Sequence, residues 1–336
     1  MSTPQKIPLV IASGERVYDK VKALIDGTVQ VENCSLSFVP LGSGEMLVRA
    51  FEDPEFNVAE LSLSNYVSRR ALGNCPYVAI PVYIARSFRH ADLYVRTDRN
   101  ILAPQDLRGR RIGIAEYEHT LYVWARGILE DEYGVRPSDV KWVSVSKHAP
   151  GPSDHSAFQP PSGVSIEHLH SATTLSEMLE NGEIEALISV QAPPCFTRAA
   201  PNIARLFADH CAAEDEYFRR TGNFPILHIM GIRNELVERH PGLAQKVFKA
   251  FLEAKNLALE AEGRAAALPS AAAALKANHT RMTTLMGADY YSYGLNERDC
   301  KTLNLFLDYH FRQGLSKRRY EIAELFAPVP VSDYQV

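Results

Sequence analysis

No apolar run in this sequence approaches the roughly 18 residues of a membrane span, so neither a membrane anchor nor a membrane partner is expected. Cysteine is scarce. Five occur in 336 residues, and none is spaced as CxxC or as a Cys/His metal set. A disulfide framework or a zinc site of the usual spacing is thereby excluded, and reduced thiols in a reducing compartment fit best. Neither sign of charge dominates, with 36 Lys and Arg against 40 Asp and Glu. That balance argues against a nucleic-acid or membrane surface. A glycine-rich phosphate loop is missing, and so is a GxSxG nucleophile elbow. The N-terminal stretch "IPLVIA" is too short for the apolar region of a signal peptide, and Glu15 and Arg16 follow it closely. It reads as the first strand of a cytoplasmic protein.

What is present is an α/β rhythm in a chain long enough for about two domains. "IPLVIA", "SLSFVPL", "FNVAEL" and "YVAIPVYI" read as strands. "RVYDKVKALIDG", "GEMLVRAFED" and "SNYVSRRALG" between them read as helices, two of them stopped by glycine. A second unit follows: "ADLYVR" and "RIGIAE" as strands, "HTLYVWARGILEDEYG" as a long helix, "VKWVSV" as a strand, and a helix-turn-strand in "TTLSEMLENGEIEALIS". Trp124 falls on the apolar stripe of the long helix and reads as core. Residues 147–163 are rich in Pro, Gly and Ser and read as an exposed loop. Beyond "QAPPCF" come the strand "FPILHIMGIR" and long helices, including "KTLNLFLDYHFRQG". This order predicts two lobes built on mostly parallel sheets. Lobe 1 comprises residues 1–95 and 192–336, and lobe 2 is inserted as residues 96–191. Ligands of such folds bind outside the carboxyl ends of strands, here expected in a cleft between the lobes.

"SFRHADLYVR", residues 87–96, stands out in this frame. Arg89 and His90 lie side by side next to strand-like apolar runs, with Arg86 just upstream. Buried unpaired charge is costly, so these residues either face solvent or meet an anion.

"APQDLRGRRIGIAE" and "NGEIEALIS" resemble the opening and the return strand of the second lobe in type II periplasmic-binding-protein folds. A narrower resemblance covers most of the chain. "FNVAELSLSNYV", "YVAIPVYIARSFRHADLYV", "IGIAEYEHTLYVWARGILEDEYGV", "RRTGNFPILHIMGIR" and "YGLNERDCKTLNLFLDYHFRQGLS" together resemble the 4,5-dihydroxyphthalate decarboxylase family. The resemblance implies a cytoplasmic, homo-oligomeric carboxy-lyase that converts 4,5-dihydroxyphthalate to protocatechuate and carbon dioxide. Gln191 stands where that family often has Arg, and His119 and Tyr122 stand where apolar or small residues are usual.

The implied chemistry sets requirements. Each hydroxyl of the substrate is para to a carboxylate-bearing carbon, so ionising the phenol drives electron density onto that carbon. An acid then protonates it, and carbon dioxide leaves as the ring regains aromaticity. The site needs an anchor for the spectator carboxylate, a base, an acid and a poorly solvated pocket. No organic cofactor is required, and no metal ligand set is evident. Arg86 and Arg89 are candidate anchors through bidentate guanidinium pairing, with a surface salt bridge as the alternative. His90 is the first candidate proton donor, and its contact with a ligand requires "SFRH" to be a loop at the cleft mouth. His228, in an apolar strand, is either a hydrogen-bonded core histidine or a second acid/base. Glu116, at a strand's carboxyl end, is a candidate base or a helix-end charge, and Tyr117 lines the same edge. Ser62 and Ser64 open a helix and are candidate anion ligands or plain caps. A solute-binding protein for an aromatic acid, a decarboxylase acting on a different ring, and a metal enzyme using His90, Glu116 and His228 as ligands are the alternatives.

Overall fold

The computed structural model describes residues 6–14, 18–52, 55–146 and 160–327. In chain order the strands are β1 (Ile7–Gly14), β2 (Cys34–Leu41), β3 (Val58–Ser62), β4 (Tyr77–Arg86), β5 (Leu93–Arg96), β6 (Arg111–Gly113), β7 (Lys141–Ser146), β8 (Ser165–His170), β9 (Ala186–Ile188), β10 (Ile203–Arg205) and β11 (Ile226–Arg233). Most of the Pro- and Ser-rich stretch expected as a loop, residues 147–159, lies outside the described residues. Among the described residues no helix is long and apolar enough to cross a membrane.

The chain divides into two units. Unit 1 comprises Met1–Ser87, Gly222–Asn304 and Tyr320–Val336, and unit 2 comprises Phe88–Thr221 and Leu305–Arg319. The expected crossovers near residues 95 and 191 therefore fall inside unit 2. Hydrogen bonding explains why, because β5 sits within the second sheet between β10 and β9. The segment 305–319 also returns to unit 2, which residue spacing gave no reason to expect.

Unit 1 is built on a sheet of order β2-β1-β3-β11-β4. β1 runs parallel to β2 and β3, as helical crossovers dictate, while β11 runs antiparallel to both β3 and β4. β3 is buried along its whole length. The β11–β4 pairing is irregular around His228: Ile226 faces Arg86, but Met230 already faces Ile80. Pro81 lies within this irregular stretch of β4. It has no N–H to give a neighbouring strand, and its carbonyl accepts from Gly294. Gly231 keeps the sheet tight, since a Cβ there would lie 2.5 Å from Leu61 Cδ1.

Unit 2 carries the sheet β10-β5-β9-β6-β7-β8, whose β9, β6, β7 and β8 are mutually parallel. Helix Thr120–Tyr133 follows β6 and is buried from Thr120 through Leu129. His119 caps its start, its Nδ1 accepting from the Leu121 N–H at 3.4 Å. Gly134 stops it in the left-handed conformation at φ 66°, which only glycine adopts without cost. Trp124 is core, as its position on the stripe predicts, and meets the Tyr309 ring edge-on at 5.6 Å. Gly127 lets the same ring come close, because a Cβ there would lie 2.2 Å from it.

Candidate functional site

In unit 1 the carboxyl ends of β1 and β3 bring together groups far apart in sequence. Glu60, on β3, is almost wholly buried. Its Oε1 lies 2.6 Å from His228 Nδ1 on the neighbouring β11, and its Oε2 accepts the Gly14 N–H at 2.7 Å. A carboxylate only accepts, so the His228 Nδ1 carries a proton and Nε2 is left as the nitrogen that gives or takes one. Ser62 faces His228 across the strand pair. The register shifts around His228 re-aim this side chain, a common use of strand irregularities. His228 was expected from sequence and Glu60 was not. The signal was present, since a glutamate in the middle of a fully buried strand must have a partner.

Ser62 is fully buried at the N-cap position of helix Leu63–Ala71 and makes no side-chain capping bond. Ser64, the second residue of that helix, is also buried. Plain capping therefore does not account for Ser62.

Arg86 is enclosed in unit 1. Its Nη1 pairs with Asp299 Oδ1 at 2.7 Å, and its Nη2 donates to the Phe224 carbonyl at 2.8 Å. Both side chains of the ion pair are fully buried. Arg89 belongs to unit 2 and is likewise committed, with Nη1 2.9 Å from Asp92 Oδ2 and Nε donating to the Phe88 carbonyl at 2.7 Å. Burial pushes the Asp92 carboxyl up to about 6 despite the pull of Arg89. The charges of "SFRH" thus find partners inside the protein.

His90 opens a short 3-10 turn and is sealed among rings, with Phe207 at 5.1 Å, Tyr217 at 5.4 Å and Tyr133 at 6.4 Å. Neither ring nitrogen has a hydrogen-bond partner among the described residues. Burial, with the Arg89 charge beside it, lowers its pKa to about 4. Residues 87–89 form an irregular stretch, and His90 itself is only 2% exposed.

The second feature lies wholly in unit 2, at the carboxyl ends of β6, β7, β8 and β9. A pocket of about 370 Å³ is walled by Ala115 and Tyr122 on one side, Val145, Ser171 and Thr173 on another, and Ser176, Leu187, Ser189 and Gln191 on the rest. Among the described residues its lining holds no ionic side chain. Ser171 Oγ accepts from the Thr173 N–H and Ser176 Oγ from the Cys195 N–H, each at 3.0 Å. Each hydroxyl so oriented keeps its own proton for a ligand acceptor. Tyr122 is held by the Ala115 N–H, which its hydroxyl accepts at 3.1 Å.

Glu116 is exposed in the loop after Ala115, and Tyr117 beside it is buried. The neighbouring Glu118, which sequence did not single out, has its pKa raised to about 6 by burial and by the Glu116 charge. Among the described residues no group of three or more His, Cys, Asp and Glu could hold a metal ion. His90 and Glu116 lie in unit 2 and His228 in unit 1.

Comparison with known proteins adds what geometry alone does not. No family model matches the chain. A 4,5-dihydroxyphthalate decarboxylase of Comamonas testosteroni is 38% identical over 331 residues, covering 98% of this chain and 99% of that protein. The chain belongs to the 4,5-dihydroxyphthalate decarboxylase family. A second member, from Pseudomonas putida, is 38% identical over 214 residues, covering 64% of this chain and 82% of its own. Among solved structures, the periplasmic aliphatic sulphonate binding protein SsuA from Escherichia coli superposes with a TM-score of 0.57 at 12% identity, covering 98% of this chain and 94% of that one. The desulfurization enzyme DSZB superposes with a TM-score of 0.52 at 16% identity, covering 98% of this chain and 99% of that one. At these identities the likeness concerns the fold alone, and it is the expected periplasmic-binding-protein fold.

Proposed function

We propose that this family member decarboxylates a hydroxylated aromatic dicarboxylic acid, converting 4,5-dihydroxyphthalate to protocatechuate and carbon dioxide. Similarity along nearly the full length of a curated decarboxylase supports the reaction, and the Glu60–His228 pair is the observation that carries its chemistry. The phenol ionises, the carbon para to it takes a proton, and the bond to the carboxylate breaks with its electron pair returning to the ring. We assign the proton delivery to His228 through Nε2. Glu60 fixes the ring's orientation and stabilises the imidazolium. Ser62, fully buried opposite His228, is assigned a supporting part beside the pair.

Within unit 2, a carboxylate contact is assigned to the hydroxyls and amide of the pocket, with Tyr117 in its supporting loop and Glu116 as a candidate base beside it. Arg86, Arg89 and His90 are assigned a structural part, because each is enclosed. A cytoplasmic, homo-oligomeric enzyme is part of the same reading. Its cysteines are all free thiols, which supports a reducing compartment.

The test is to incubate the purified protein with 4,5-dihydroxyphthalate and follow protocatechuate and carbon dioxide. Release of both in equal amounts is expected. Tight binding without turnover would instead favour a binder of aromatic acids or a relative acting on another ring.

A further inference from the structure

Four buried arginines set up a contrast, of which Arg96 pairs with Asp98. Arg86 has Asp299 and Arg89 has Asp92. Arg126, only 1% exposed, pairs with no carboxylate among the described residues. Its Nε donates to Gln313 Oε1 at 2.8 Å and its Nη2 to the Tyr117 carbonyl at 2.5 Å, both neutral acceptors. The guanidinium lies 3.6 Å from the centre of the Tyr117 ring. Its Nη1 has no partner among the described residues.

A buried cation without a counter-ion is destabilising, and arginine does not escape by neutralising at ordinary pH. Burial lowers the Arg126 pKa to about 10, which still leaves it charged at neutral pH. The position of this charge is informative. Arg126 lies one helical turn after Tyr122, on the same face, and Tyr122 lines the unit 2 pocket. Its other contact, Tyr117, is two residues beyond the pocket-lining Ala115. The cation thus sits one helical turn from the wall residue Tyr122, beside a pocket whose lining is neutral among the described residues. In a weakly polarisable interior its field reaches through that wall with little screening.

We propose that Arg126 sets the charge specificity of the unit 2 pocket, its uncompensated positive charge being the counter-charge for the carboxylate of an aromatic acid bound there. The proposal deepens the decarboxylase reading and rests on it for the substrate class. Arg126 is a positioning residue that acts through Tyr122 and the Tyr117 loop.

The test is calorimetric binding of phthalate and of uncharged catechol to the wild-type protein and to two variants. Arg126→Met removes the charge. Gln313→Glu keeps the guanidinium and sets a carboxylate against its Nε. Each variant is expected to weaken phthalate binding by about tenfold or more and to change catechol binding by less than about twofold. If Arg126→Met does not fold, Gln313→Glu decides alone. Phthalate affinity within twofold of wild type, equal weakening of both ligands, or no phthalate binding by the wild-type protein would each overturn the proposal. The readout is binding, so absence of decarboxylation would refute the reaction while leaving this result to stand.

Discussion

Glu60 and His228 share a contact of 2.6 Å between strands that are neighbours in the sheet and 168 residues apart in sequence. The carboxylate is buried and the imidazole half-buried, so the pair is oriented by the fold and still reachable. His228→Asn should lower kcat by about 10²–10⁴-fold, the usual span for losing a general acid, with a much smaller change in KM. Glu60→Gln should lower kcat less, because the imidazole remains. Steady-state formation of protocatechuate measures both, and unchanged kcat in His228→Asn would remove His228 from the chemistry.

The unit 2 pocket should act on binding more than on rate. Replacing Gln191 by Leu together with Ser189 by Ala removes two neutral donors from its wall. KM for the dicarboxylate should rise by about tenfold, with kcat nearly kept. A fall in kcat at constant KM would place the chemistry, rather than the anchor, at this pocket.

Arg86 should behave as a structural residue. Arg86→Met leaves Asp299 buried without its partner, and breaking such a pair costs about 3–5 kcal/mol. The urea midpoint should fall sharply. A stable variant with a raised KM would restore Arg86 to the substrate.

His90 should make the protein acid-sensitive. Its pKa falls from 6.5 to about 4 in the folded state. Between those values the unfolded chain binds the proton and the folded chain does not, so the stability this group contributes is lost as pH falls from 6.5 to about 4. The full loss is roughly 3 kcal/mol. Asp92 and Glu118, both raised to about 6, work in the opposite sense over the lower part of that window. The discriminating comparison is therefore between wild type and His90→Phe. The variant's melting temperature should drop less between pH 7 and pH 5, and equal drops would show that His90 does not titrate as its surroundings dictate.

Gly127 should not tolerate a methyl group. Gly127→Ala drives a carbon into the Tyr309 ring, and overpacking of this kind costs about 1–3 kcal/mol. Chemical denaturation reads it directly.

The strands and helices of the first half were legible because their periodicity is local, and so was Trp124 as core. β8, "SIEHLH", was not, because four of its six residues are exposed and the other two only half-buried, which leaves no apolar stripe to read. The ion pair of Arg89 lay three residues away in Asp92, close enough to have been seen. That of Arg86 lay 213 residues away in Asp299, and nothing local announces it. Glu60 is an intermediate case. Its need for a partner could be inferred from "FNVAEL", but the identity of the partner depends on β11 lying between β3 and β4. The resemblance led to the family, and the family to the chemistry. The residues that carry the chemistry depend on which strands are neighbours.

The return of residues 305–319 to unit 2 bears on how the protein is made. Gly127 and Trp124 need the Tyr309 ring, and Arg126 needs the Gln313 side chain. On a translating ribosome these partners emerge long after the buried helix Thr120–Tyr133, which must wait through the synthesis of nearly two hundred further residues before its core closes. A chain released early, or a gene fragment ending at Thr221, would present that helix's apolar side to chaperones and proteases.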